Sequence, residues 1–110
     1  MEKHVKIGKL DRKVAIYQKQ VTKTSTGATT VVEVLFKECF SQAEDKSGKE
    51  EEEGKIYLLA IRDYTIRYDA TIAQQGEQMF VKDFDGDYHI ASVEHIGRRN
   101  YLRLKAIKRE

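Results

Sequence analysis

A chain of 110 residues, 40% hydrophobic and 35% charged, is one domain's worth of sequence with apolar surface for one modest core. No apolar run approaches the roughly 18 residues of a membrane-crossing helix, a single cysteine, Cys39, excludes a disulfide scaffold, and Met1-Glu2-Lys3-His4-Val5-Lys6 holds no signal-peptide core, so a soluble protein made in a cytoplasm is expected. The net charge of +2 is too small to mark the whole molecule as a nucleic-acid binder, although the basic residues Arg98, Arg99, Arg103, Lys105, Lys108 and Arg109 crowd the end of the chain and Glu50-Glu51-Glu52-Glu53 sit in its middle.

Period-two alternation dominates and predicts strands. In residues 13–21, Val14 and Ile16 alternate with Lys13, Ala15 and Tyr17. The polar stretch 22–28, with Gly27 near its end, reads as a hairpin tip. Residues 29–42 place Val32, Val34, Phe36 and Glu38 on one face, and Val31, Glu33, Leu35, Lys37 and Cys39 on the other. Both faces are partly apolar, which suits a long strand in a curled sheet. Residues 44–55 break the pattern, because none of them is apolar. Such a stretch reads as a solvated loop. A short helix starting at Ser47 is the alternative: Ser47 and Glu50 have capping-box spacing, and Ile56, Leu59 and Ala60 would form its apolar stripe. The sequence leaves loop, helix and hairpin open over residues 44–60.

Strands resume at residues 61–69, where Arg62, Tyr64, Ile66 and Tyr68 share a face. Residues 70–78 form a connection holding Gly76. Residues 79–84 alternate briefly, and Asp85-Gly86 reads as the centre of a type I′ turn. Residues 88–96 return, Gly97-Arg98-Arg99-Asn100 turns again, and residues 101–107 close with Leu102, Leu104 and Ala106 inward. The expected fold is mainly β: a small antiparallel six-stranded barrel or curled sandwich with a long charged loop, or a short helix, around residues 44–60. One domain spans residues 1–110, with 1–9 as a flexible tail. Without any proline, its sheet edges need closure, charge or partners to protect them.

Catalysis needs converging groups, and the sequence gathers none. His4 lies in the tail. His89 and His95 fall on one expected strand, on the same face by alternation, and about 20 Å apart, too far to share an ion. Cys39, between Glu38 and Phe40, reads as a structural thiol. Asp83-Phe84-Asp85-Gly86-Asp87, with Glu94 further on, partly resembles a calcium loop, but residues 88–93 read as a strand, so a turn is preferred to a cation site. The dispersed glycines form no phosphate cradle, and no serine has a nucleophile-elbow context. No enzyme activity, metal or cofactor is expected. Arg98, Arg99, Arg103 and Lys108, near Tyr88 and Tyr101, read either as a solvated face or as a wall turned to a partner or to DNA. Assembly or binding is favoured over enzymology.

The order of features resembles the bacteriophage head–tail joining proteins (head-closure and adaptor proteins). Gly8-Lys9-Leu10-Asp11-Arg12-Lys13-Val14-Ala15-Ile16 is similar to their opening, and Thr24-Ser25-Thr26-Gly27 to their Gly-tipped hairpin. Ser47-Gly48-Lys49-Glu50, Ile66-Arg67-Tyr68, Met79, Tyr88-His89-Ile90-Ala91-Ser92-Val93 and Tyr101-Leu102-Arg103-Leu104 follow in the family's order. Asp69-Ala70 stand where many members carry a proline. The resemblance implies a non-enzymatic β-barrel that forms a ring, usually twelvefold, on the phage portal or adaptor after DNA packaging. The ring would close the head, retain the genome and dock the tail-terminator protein, with no membrane involved. On this reading Ser47, Gly48, Lys49, Glu50, Glu51, Glu52, Glu53, Ile56 and Tyr57 form an assembly loop. Arg98, Arg99, Arg103 and Lys108 face a partner or packaged DNA. The alternative is a small oligonucleotide-binding-like barrel that binds nucleic acid.

Overall fold

The computed structural model describes residues 9–109, and of 47–52 and 55–59 it describes the backbone alone. The strands are β1 (Arg12–Lys23), β2 (Thr29–Glu52), β3 (Lys55–Arg67), β4 (Met79–Asp83), β5 (Gly86–Ile96) and β6 (Tyr101–Lys108). They form a closed antiparallel barrel in the order β1-β2-β3-β6-β5-β4, with β4 pairing back onto β1. Closure satisfies the backbone within the barrel wall and leaves it without open edges, in a chain that has no proline to blunt them.

The interior is built by alternation. Val14 and Ile16 of β1, Tyr64 and Ile66 of β3, Met79 and Val81 of β4, Tyr88 and Ile90 of β5, and Leu102, Leu104 and Ala106 of β6 meet in one buried cluster. Each large apolar side chain so buried contributes roughly 1.5–3 kcal/mol. Between β3 and β4 lies a helix, α1 (Ala70–Gln75), continued by a single 3₁₀ turn (Gly76–Gln78). The Asp69 carboxylate accepts from the amides of Thr71 and Ile72, so it caps the helix, and Lys37 pairs with it at 2.9 Å. Ile72 adds the helix to the core cluster, and Gly76 packs so closely that a Cβ there would lie 2.5 Å from a Val93 methyl. The expected connection is thus a capped helix that docks on the barrel.

Two bulges adjust the alternation. On β2 the register against β1 slips between Lys37 and Leu35, leaving Phe36 as the extra residue. Phe36 and Cys39 therefore both pack against the core, although they are an odd number of residues apart. The slip brings both even- and odd-numbered residues of β2 to the core side, while Val31, Val32 and Leu35 stay exposed. On β5 the extra residue is Ala91. It separates the two histidines expected on one face: His89 stands opposite the outward Phe80, and His95 stands opposite the buried Leu102.

β2 continues past the barrel in both directions. β1 pairs with β4 only over residues 15–18, and β3 with β6 only over residues 61–67. Beyond those limits, residues 19–23 pair with 29–33, and residues 47–52 pair with 55–60, as two-stranded ribbons. Residues 44–60 are therefore a hairpin, neither loop nor helix. Its turn is Glu53-Gly54, with φ of 53° and 78°, the positive pair that a two-residue type I′ connection needs. A two-stranded ribbon is held by backbone pairing and needs no apolar stripe, so its charged strand gave no periodic signal. The β4–β5 turn also differs from expectation. Its central residues are Phe84 and Asp85, neither with positive φ, and Gly86 follows them at φ 142°.

The chain is more extended than a compact domain of its length. A compact monomer of this mass exposes roughly 6,200 Å², whereas this chain exposes 8170 Å². Its radius of gyration is 15.9 Å, against about 13 Å for a compact domain of this length.

Candidate assembly surfaces

Arg62 stands where the β2–β3 ribbon leaves the barrel. Alternation puts it on the interior face of β3 with Tyr64 and Ile66, and the register sets Asp45 opposite it on β2. Its side chain is 7% exposed. The guanidinium donates to both carboxylate oxygens of Asp85 (2.9 and 2.8 Å), to Asp83 (2.9 Å) and to Asp45. Tyr64 Oη donates to Asp83 at 2.7 Å, and Tyr88 Oη donates to Asp85 at 3.1 Å. The guanidinium carbon lies 4.7 Å from the centre of the Tyr88 ring, and Arg12 is 3.6 Å from Asp83. A buried cation needs such a cage, since desolvation would otherwise outweigh any single pairing. The hydrogen bonds from Arg62 hold the Asp85 carboxyl down to about 2, against an ordinary 3.8. Burial, helped by Asp83, pushes the Tyr64 phenol up.

The cage fixes the ribbon root, the β4–β5 turn and the start of β1 to one another. Between the two clamped aspartates, Phe84 projects with 79% of its surface exposed and the Arg12 guanidinium 4.8 Å from its ring. Asp83 and Asp85, which looked in sequence like part of a cation loop, are thus the counter-ions of an arginine. The sequence reading missed this cluster. Its one visible signal was an arginine on an otherwise apolar strand face.

The expected assembly residues all fall on the ribbon. Ser47, Gly48, Lys49, Glu50 and Glu51 pair in register with Ala60, Leu59, Leu58, Tyr57 and Ile56, Glu52 pairs with Lys55, and Glu53 opens the turn. The expected basic residues do not form one patch. Arg98 and Arg99 are exposed on the β5–β6 turn, and Arg99 takes a φ of 58°. Lys108 ends β6, some 25 Å along the strand. Arg103, between them, pairs with Glu94 at 3.5 Å.

A further surface lies on the outer wall. Tyr17 and Phe80 stack there with ring centres 5.6 Å apart. Lys82 lies over Tyr17 at 4.4 Å, Arg109 lies over Phe80 at 4.7 Å, and both reach Glu33 at 3.5–3.6 Å. Val21, Val31 and Val32 stay exposed along the β1–β2 ribbon, and Leu35 and Phe40 on the barrel wall. Burial raises the Cys39 thiol, partly offset by Lys37, so it is no ready thiolate.

The chain is thus a closed barrel carrying projecting ribbons, exposed apolar side chains and a buried charge cluster. The sequence model of the phage head completion protein family matches residues 5–110. The chain belongs to that family of structural phage head proteins. Among solved structures it is similar to a chain of the "Virion of native gene transfer agent (GTA) particle", at 17% identity over 89% of this chain and 93% of that one, with a TM-score of 0.59. That likeness concerns the fold. No curated protein sequence matches the chain.

Proposed function

We propose that this protein is a head–tail connector component of a phage or prophage particle. It assembles as a ring, twelvefold by the family resemblance, on the portal or adaptor once DNA is packaged. The ring closes the head, retains the genome and offers the docking face for the tail-terminator protein. It acts by assembly and not by catalysis. Family membership supports the setting. The observation that carries the mechanism is the pair of ribbons projecting from a closed barrel. Outside the barrel, the strands at 19–23 and 55–60 pair on one side only, and such edges can add a strand from a neighbour. An isolated two-stranded ribbon is marginally stable in water, so contact with a neighbour or with the tube lumen gives it a partner. In this reading Ser47 to Tyr57 are the assembly arm, and the exposed Arg98 and Arg99 face a partner or packaged DNA.

Deletion of the gene from its phage or lysogen, with the induced particles viewed by electron microscopy, tests this reading. Free tails beside heads that have lost DNA are expected. Intact infectious particles would reject it in favour of the nucleic-acid-binding barrel.

A further inference from the structure

The outer wall carries a groove of about 480 Å³ lined by Lys19, Gln78, Met79, Phe80, His89 and Arg109. Its accessible chemistry is cationic, because Met79 and Phe80 are almost fully buried beneath it. Lys19 lies opposite Glu33 in register but makes no ion pair among the described residues. Glu33 is already shared by Lys82 and Arg109, each at 3.5–3.6 Å, so one carboxylate faces three cations. The groove does not suit nucleobases. Phe80 is 2% exposed and lies beneath Arg109, so its ring offers no open face for stacking. What fits is a row of carboxylates on an extended backbone.

The chain contains one such row, Glu50-Glu51-Glu52-Glu53, at the end of the β2–β3 ribbon. The last barrel pair beside that ribbon is Ile61 with Ile107. Six further residues of paired ribbon carry the tip roughly 20 Å beyond it. The ribbon is therefore long enough for its tip to reach a second copy.

We propose that the acidic ribbon tip of one copy docks into the cationic groove over Phe80 of a second copy. Donor and acceptor are different surfaces of the same chain, so the contact is heterologous and propagates from copy to copy until rotation closes a ring. Charge sets its direction: the acidic tip is repelled by a neighbour's acidic tip and drawn to its groove. This inference rests on the ring reading above and assigns the contact that builds the ring.

Charge reversal tests it. The groove variant carries Lys19→Glu and Arg109→Glu, the tip variant carries Glu51→Lys and Glu52→Lys, and a third chain carries all four changes. Each is supplied in trans to a lysogen deleted for the gene, and DNA-filled, tailed particles are counted. Thermal melting of the purified barrels confirms that each variant is folded. Each single reversal is expected to lower the count by at least about tenfold, the effect of one lost contact of ordinary strength, and the four-change chain to restore it. Co-supplying the two single-surface variants restores it as well, because their surfaces are complementary to each other. Single reversals that complement as well as the natural chain, or a four-change chain no better than either, overturn the proposal. If the deletion itself leaves particles intact, the connector reading fails, which is a different result. Single-stranded DNA captured on filters by the natural chain and lost by the groove variant would assign the groove to nucleic acid and overturn the proposal too.

Discussion

Arg62 shows how one residue organises this molecule. It sits on an apolar strand face, 6% exposed, because three aspartates and two tyrosines meet its guanidinium there. Replacing it with methionine leaves Asp83, whose side chain is 1% exposed, without its main partner. Breaking a buried pair from one side costs about 3–5 kcal/mol, so Arg62→Met should lose that much stability in urea unfolding. Asp85 makes the cluster sensitive to acid. Its folded-state pKa of about 2 lies below the ordinary 3.8, so its contribution is complete above the ordinary value and is lost as pH falls through the folded one. Asp85→Asn should therefore melt below the natural protein at pH 7, and the gap should close as pH falls from about 4 to 2. Alternation alone placed Arg62 inside the barrel. Its partners were not legible, because they lie 17 to 23 residues away: the β2–β3 register brings in Asp45, and the barrel brings in Asp83 and Asp85 on the β4–β5 turn.

At the scale of elements, all six strands were legible from period two, because half-buried strands must alternate. What escaped was whatever does not alternate. The bulges at Phe36 and Ala91 reverse parity midway, which set His89 and His95 on opposite faces against expectation. Asp69 carried a capping side chain for α1, but six helical residues are too few to show a periodic stripe. The β2–β3 ribbon escaped because its β2 half holds no apolar residue from 44 to 52, and its turn signal was the less familiar Glu53-Gly54. Both ribbons should open locally while the barrel stays closed. Hydrogen exchange of the isolated protein should show amides of 47–60 exchanging well before those of Leu102, Leu104 and Ile66. Protection of the ribbon equal to that of the barrel would mean it needs no neighbour to hold it.

The whole molecule is a barrel with more surface than its core requires. The 8170 Å² it exposes exceeds the roughly 6,200 Å² of a compact monomer. One strand, β2, feeds ribbons in both directions, and they add to that surface. Fold class was legible from the alternation and the family from the order of motifs, which the family match over residues 5–110 supports. The surfaces that would make contact were less so, since Arg98 and Lys108 are close in sequence but occupy opposite ends of β6. The most direct test of assembly at the head–tail junction is electron cryomicroscopy of that vertex in DNA-filled particles. The account predicts a closed ring of six-stranded barrels between portal and tail, each β2–β3 ribbon reaching a neighbouring copy. A vertex without these barrels, or barrels that touch only portal or tail and never one another, would contradict it.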